Sequence, residues 1–350
     1  MQETGNIKLG ISIGDLNGIG CEVVLKTFED SRMLDFCTPV IFASNKTISH
    51  QKSELGLDIN YNGIQDASKA IDGKINVVNV WKETPVVSFG VPTPESGKYA
   101  IQSLRAAVEA LKNNEVDVLV TAPINKNNIQ AEDFKFPGHT DYLAQELEGE
   151  SLMFMVTDGL RVGLLTDHVA VKDVAANITP RLIRSKITTI SNSLKMDFGI
   201  RKPKIALLGI NPHSGDNGVI GKEDDDILKP VIKEMSEKGH LVFGPYSADS
   251  FFGSDNYKNF DAILAAYHDQ GLIPFKTLSF GKGVNFTAGL NKVRTSPDHG
   301  TAYEIAGKGV ADNSSFKEAV FMALHIFKNR KEYKELTGNP LKKHKLKRQG

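Results

Sequence analysis

The chain has 350 residues, and Lys plus Arg equals Asp plus Glu at 42 each, for a formal net charge of zero. That balance excludes the electrostatic footprint of a nucleic-acid or membrane-surface binder, so the expected partner is a small molecule. Cys21 and Cys37 are too few for a disulfide framework, and no apolar run reaches the ~20 residues that span a bilayer, so a cytoplasmic protein with reduced thiols is expected.

In chain order, apolar runs at Leu9 (LGISI), Val40 (VIFA), Ile75 (INVVNV), Val116 (VDVLVTA), Lys204 (KIALLGI) and Asp261 (DAILAAY) read as strands buried on both faces. Between them, Ile101, Leu104, Val108 and Leu111 share one helical stripe, as do Phe316, Val320, Leu324 and Phe327. This alternation predicts α/β layers around a largely parallel sheet, and the length favours two domains. Such sheets bind ligands beyond the carboxyl ends of their strands, where Gly14, Ala122, Asn211 and His268 stand. The terminal LKKHKLKRQG reads as a solvated basic tail.

The stretch from Ala265 to Ala311 sets His268, Lys276, Asn285 and Arg294 among Gly271, Gly281, Gly283 and Gly289, a polar set on backbone expected to be flexible. Lys, Arg and Asn suit phosphate and carboxylate, although an isolated Lys or Arg is usually a solvated surface charge. His168 (LLTDHVAV), His213 (GINPHSGDNGVIG) and His268 sit on three apparent strand ends. Neutral imidazole suits Zn, Co, Ni or Fe better than Mg, yet a lone His is more often a surface or hydrogen-bonded residue. His139, in PGHTDYLAQ, also reads as the cap of a helix beginning at Thr140. GDLNGIG, from Gly14 to Gly20, has neither the dinucleotide spacing nor a Gly-Lys-Ser/Thr ending, so its glycines by themselves mean a tight strand-to-helix turn.

Together with VTAPINK (Val120 to Lys126) and GPYSADSFF (Gly244 to Phe252), these segments resemble, in the same order, the 4-hydroxythreonine-4-phosphate dehydrogenase family of vitamin B6 synthesis from about Leu9 to Asp312. The resemblance implies two α/β/α domains of the isocitrate/isopropylmalate dehydrogenase type. Residues 1–137 with 292–335 would form the NAD side, 138–291 the metal-binding and dimerisation domain, and 336–350 the tail. It implies NAD- or NADP-dependent oxidation of 4-phosphooxy-L-threonine to a β-keto acid that decarboxylates to 3-amino-2-oxopropyl phosphate. One divalent metal ion (Zn, Co or Mg) falls to His168, His213 and His268, and substrate contacts fall to His139, Thr140, Lys276, Asn285 and Arg294. The resemblance also implies an obligatory homodimer in which two chains supply the ligands of one metal, so that inactive His168→Ala and His268→Ala chains would complement each other.

PDHGTAYEIAGKG, from Pro297 to Gly309, resembles the His-Gly-Ser-Ala-Pro loop of isopropylmalate and isocitrate dehydrogenases. That likeness assigns the adenosine half of NAD to His299, Gly300, Thr301 and Ala302, where a plain helix start would use the same residues. Lys276 and Asp269 are equal candidates for the general base, and Asp249 and Asp269 stand where they could orient the metal imidazoles. The family form Gly-Asp-Pro-Ala-Gly-Ile-Gly-Pro-Glu is altered at Leu16, Asn17 and Cys21, which leaves room for a sibling substrate such as 4-phosphoerythronate. A phosphate acyltransferase or a non-catalytic binding protein are the readings from other classes. Lys276 and Arg294 are expected to hold substrate anions without shaping the protein.

Overall fold

A computed structural model describes residues 5–131, 134–136 and 138–339; the LKKHKLKRQG tail lies outside them. The described strands are β1 Lys8–Ser12, β2 Thr38–Ala43, β3 Tyr61–Ile64, β4 Ile75–Asn79, β5 Val118–Thr121, β6 Gly149–Thr157, β7 Leu160–Leu164, β8 Lys204–Leu208, β9 Leu241–Tyr246, β10 Ala262–Ala265, β11 Val284–Leu290 and β12 Val293–Pro297. They form one sheet in the order β3-β4-β2-β1-β5-β12-β11-β6-β7-β10-β8-β9. The six apolar runs are β1, β2, β4, β5, β8 and β10, and nearly all their residues are buried.

Pairing is parallel except at β12–β11, β11–β6 and β6–β7, so the sheet is parallel on both flanks and antiparallel in the middle. Strands from residues 8–121 and 293–297 make the first six positions, and strands from 149–290 make the other six. An odd number of reversals separates the flanks, so β5 and β12 run opposite to β7, β10 and β8.

Helices cover the sheet with the expected stripes. In Pro94–Lys112, Thr93 and Ser96 form a capping box, and Ile101, Leu104, Val108 and Leu111 are buried. In Ser314–Thr337, Phe316, Val320 and Leu324 are buried against β12 and β5, with Phe327 packed at the margin. Each such side chain contributes about 1.5–3 kcal/mol. Cys21 and Cys37 are free and buried, and burial pushes both thiols up to about 12. Among the described residues, no helix is long and apolar enough to cross a membrane.

Candidate active site

The site grows out of the antiparallel middle of the sheet. Side chains alternate faces along a strand, and the register sets Asn285 of β11 opposite Met155 of β6 and Ser296 of β12, with Thr287 opposite Met153. Two residues along β12, Arg294 lies level with Leu119 of β5. Thr121, Met153, Met155, Asn285, Arg294 and Ser296 thus floor a cleft of about 290 Å³. Thr121 and Ser296 stand at the carboxyl ends of β5 and β12, and Pro123, His168, His268 and Asp298 follow strand ends into the cleft, as expected; Gly14 and Asn211, at the ends of β1 and β8, do not line it.

Arg294 is 1% exposed, so it is neither a solvated charge nor part of a flexible glycine-rich loop. Its Nε donates to Thr121 Oγ1 (3.1 Å), its Nη1 donates to Thr287 Oγ1 (3.2 Å), and Nη2 also meets Thr121. Among the described residues no carboxylate pairs with it, and burial pushes its pKa down to about 9, which leaves it charged at neutral pH. A buried cation with only neutral partners costs several kcal/mol on the order of the usual ion desolvation, a cost that a bound anion offsets. Arg294 therefore shapes the floor as well as presenting a charge. Asn285 Oδ1 nearby is buried without a partner.

The helix His139–Glu146 begins against this floor, with Gly138 as its N-cap residue and no capping side chain. The cap role expected for His139 fails, because His139 is the helix's first residue. Its half-buried ring leaves Nε2 without a partner, and burial, then Arg294 and Lys126, hold its pKa well below the usual value, so the ring is neutral. Thr140 lines the same wall.

Opposite stand the His168 and His268 rings, with centroids 6.1 Å apart. β7 and β10 are parallel neighbours, so the segments leaving them lie side by side. Asp269 Oδ1 is 2.7 Å from His268 Nδ1 and does not line the cleft, so Asp269 reaches the site only through His268. Lys276, on the same helix, does line it, and its Nζ donates to the Asp298 carbonyl at 3.1 Å.

His213 does not line this cleft. It follows β8, the other parallel neighbour of β10, in a loop where His213, Ser214, Asp216 and Asn217 all have left-handed φ. Buried Asp224 fixes that loop by accepting from the amides of Ile210 and Asn211. Such strain, about 1 kcal/mol or more per residue, persists only where the surroundings over-determine it. Asp249 is held below the usual carboxylate range by hydrogen bonds from Ser247 and the Ser250 amide, and then by His213.

As a metal site, the donor set fits in part: two imidazoles converge, one with a carboxylate behind it. Among the described residues of one chain no three His, Cys, Asp or Glu gather around one point. His168 and His268 line the cleft of one and the same chain, whereas complementation of His168→Ala by His268→Ala calls for them to come from different chains.

Beyond the floor, His299 and Gly300 line the cleft, whereas Thr301 and Ala302 do not. His299 Nε2 is buried and unpaired. Thr301 instead faces the GDLNGIG turn: its carbonyl accepts from the Ile19 amide, and a Cβ on Gly18 would fall 2.8 Å from that oxygen. Gly14, at φ 69°, is likewise pressed against the Pro123 carbonyl. Leu16, Asn17 and Cys21 are buried away from the cleft, so the altered family positions do not touch a ligand there. Asn17 instead ties down the neighbouring loop through Ser88 and Val91.

Asp15 is the hub of this end. It accepts from the Asn17 amide, Ser96 Oγ, Asn128 Nδ2 (2.6 Å) and Tyr303 Oη (3.0 Å), tying its own turn to the start of the Pro94–Lys112 helix, the loop after β5 and the Tyr303 segment. Asp15→Asn would turn one acceptor into a donor among donors. It is expected to lower stability by about 2–4 kcal/mol, read as a drop in urea midpoint with unchanged slope.

The family described as Pyridoxal phosphate biosynthetic protein PdxA matches residues 35–323. The chain belongs to this family. It is 48% identical to the 4-hydroxythreonine-4-phosphate dehydrogenase of Bacteroides thetaiotaomicron over 97% of this chain and 94% of that one. The crystal structure of a 4-hydroxythreonine-4-phosphate dehydrogenase from Burkholderia phymatum is 35% identical, with a TM-score of 0.76 over 92% of this chain and 98% of its own. A relative from Oceanobacillus iheyensis, whose name proposes D-threonate 4-phosphate dehydrogenase activity, is 33% identical over 91% of this chain and 97% of its own. The α/β class read from the sequence is thereby met.

In this family member the sequence reading missed Lys126, Thr121 and the Met153–Met155 pair as cleft residues. VTAPINK pointed at the first two, since it starts on β5 and ends in the cleft. The methionines carry no polar signal.

Proposed function

We propose that the chain is a 4-hydroxythreonine-4-phosphate dehydrogenase that oxidises the C3 alcohol of 4-phosphooxy-L-threonine with NAD or NADP, as a cytoplasmic enzyme of vitamin B6 synthesis. The observation that carries this reading is a buried Arg294 with only neutral partners among the described residues, beside paired imidazoles in one cleft. A dianionic phosphate suits the Arg294 fork together with Thr140 and the uncapped start of the His139–Glu146 helix. Neutral His139 then donates or accepts a hydrogen bond without adding charge.

Lys276 faces the substrate from the helix that begins at His268, and it is the better-placed of the two general-base candidates, because Asp269 is spent on orienting His268. His168 and His268, with His213 of a second copy, would hold a divalent cation, which when bound supplies Lewis-acid polarisation of the hydroxyl. This reading makes the homodimer the active unit. His299 and Gly300 also line the cleft and would hold part of the nicotinamide cofactor, which when bound supplies a hydride acceptor. The secondary alcohol loses a hydride and a proton to become a ketone, and the β-keto acid then loses carbon dioxide. We place the NAD side on residues 1–137 with 292–335, and the metal and dimer side on 138–291.

A phosphate acyltransferase has no use for the paired imidazoles, and a non-catalytic protein has none for an uncompensated buried Arg294. The D-threonate 4-phosphate relative favours one second reading, a sibling phosphorylated hydroxy acid as substrate. Initial rates of NADH formation with 4-phosphooxy-L-threonine, D-threonate 4-phosphate and D-erythronate 4-phosphate, with and without chelator, separate the two. The first substrate is expected to give the highest kcat/KM, with the rate abolished by chelator. A higher kcat/KM on either acid transfers the assignment to that acid.

A further inference from the structure

The VTAPINK segment has one residue that the reading above leaves unused. Lys126 lines the cleft, its Nζ lies 3.4 Å from His168 Nε2, and among the described residues no carboxylate pairs with it. Its stem passes Gly138: a Cβ there would be 3.8 Å from Lys126 Cε. Lys126 therefore stands between the phosphate end of the cleft, at His139, Thr140 and Arg294, and the imidazole end at His168 and His268. Its charge is felt at the first end, where Lys126 helps hold His139 neutral.

The loop that presents it is rigid. Asn128 Nδ2 donates to Asp15 at 2.6 Å, Asn125 Oδ1 accepts from the Asn127 amide, and Gln130 Nε2 donates to the Lys126 carbonyl. A long cationic side chain on a fixed base, beside groups expected to hold a reacting oxygen, is suited to charge that develops during reaction.

We propose that Lys126 is a catalytic residue whose ammonium donates to the oxygen on C3 of a 4-phosphorylated substrate. The inference rests on the oxidation proposed above. C3 adjoins the phosphate-bearing carbon, so the C3 oxygen falls between the two ends of the cleft, as Lys126 does. Negative charge grows on that oxygen as its proton leaves and the hydride departs from C3, and again when the C–C bond to the carboxylate breaks and its electron pair moves toward the carbonyl. Lys126 keeps its proton throughout and acts by charge. Holding the departing carboxylate would instead oppose its loss.

Lys126→Met keeps the length and removes the charge, and Lys126→Arg keeps the charge. Lys126 is exposed, so both variants are expected to fold, with the thermal midpoint as the check. In Lys126→Met, kcat is expected to fall by roughly 10²- to 10³-fold. The Kd of 4-phosphooxy-L-threonine, measured calorimetrically without nicotinamide, should stay within about threefold, and Lys126→Arg should recover part of kcat. A raised Kd with intact kcat would make Lys126 a plain anion holder and overturn the proposal, as would unchanged kcat or an Arg variant no better than Met. An inactive wild type would sink the oxidation reading instead.

Discussion

His213→Ala protein is expected to lose more than about 100-fold in kcat and to lose bound metal, with the same thermal midpoint as metal-free wild type, although His213 lies outside its own chain's cleft. His168 and His268 line one cleft, so a cation there needs its third imidazole from elsewhere, and the rigid loop after β8 presents one. Mixing His213→Ala with His268→Ala chains and allowing exchange should restore activity. A random mixture of closed dimers leaves one intact site in each heterodimer, about a quarter of wild-type activity. His168→Ala mixed with His268→Ala should restore none, since every cleft then lacks one ligand. Recovery in the second mixture and not the first would reverse the assignment of ligands to chains.

Arg294→Lys is expected to lower transition-state stabilisation by roughly 1–3 kcal/mol in kcat/KM, because the planar fork is lost while the charge stays. Arg294→Met tests the cost of the charge itself. The folded pKa of about 9 lies below the ordinary value, so unfolding takes up protons between the two, and ligand-free stability is reduced throughout the pH range below that window. Removing the cation should leave the ligand-free thermal midpoint equal to or above wild type. Inorganic phosphate should raise the wild-type midpoint and not the variant's. A variant that unfolds, with phosphate still stabilising what remains, would make Arg294 scaffold alone.

The two flanks of the sheet were legible because strands buried on both faces are continuous apolar runs, as in β1, β5 and β8. The middle was not. β11 and β12 carry the cleft on one face, so Asn285, Thr287, Arg294 and Ser296 interrupt their apolar residues every second position. That interruption hid the strands and made Arg294 look like a loop charge. The period-two polar pattern was the available signal. The histidine motifs were readable, but their sorting into a pair and an outlier depends on β10 lying between β7 and β8, which is long-range pairing that no local pattern encodes. The capping role of His139 failed by one residue, within the ordinary uncertainty of helix ends.

The most direct measurement follows NADH and carbon dioxide together as the purified chain acts on 4-phosphooxy-L-threonine with NAD or NADP and a divalent metal. One carbon dioxide per NADH is expected, with both signals abolished by chelator. No NADH with either nucleotide under any metal, while phosphate still binds at Arg294, would contradict it and leave a phosphate-binding cleft without the proposed oxidation.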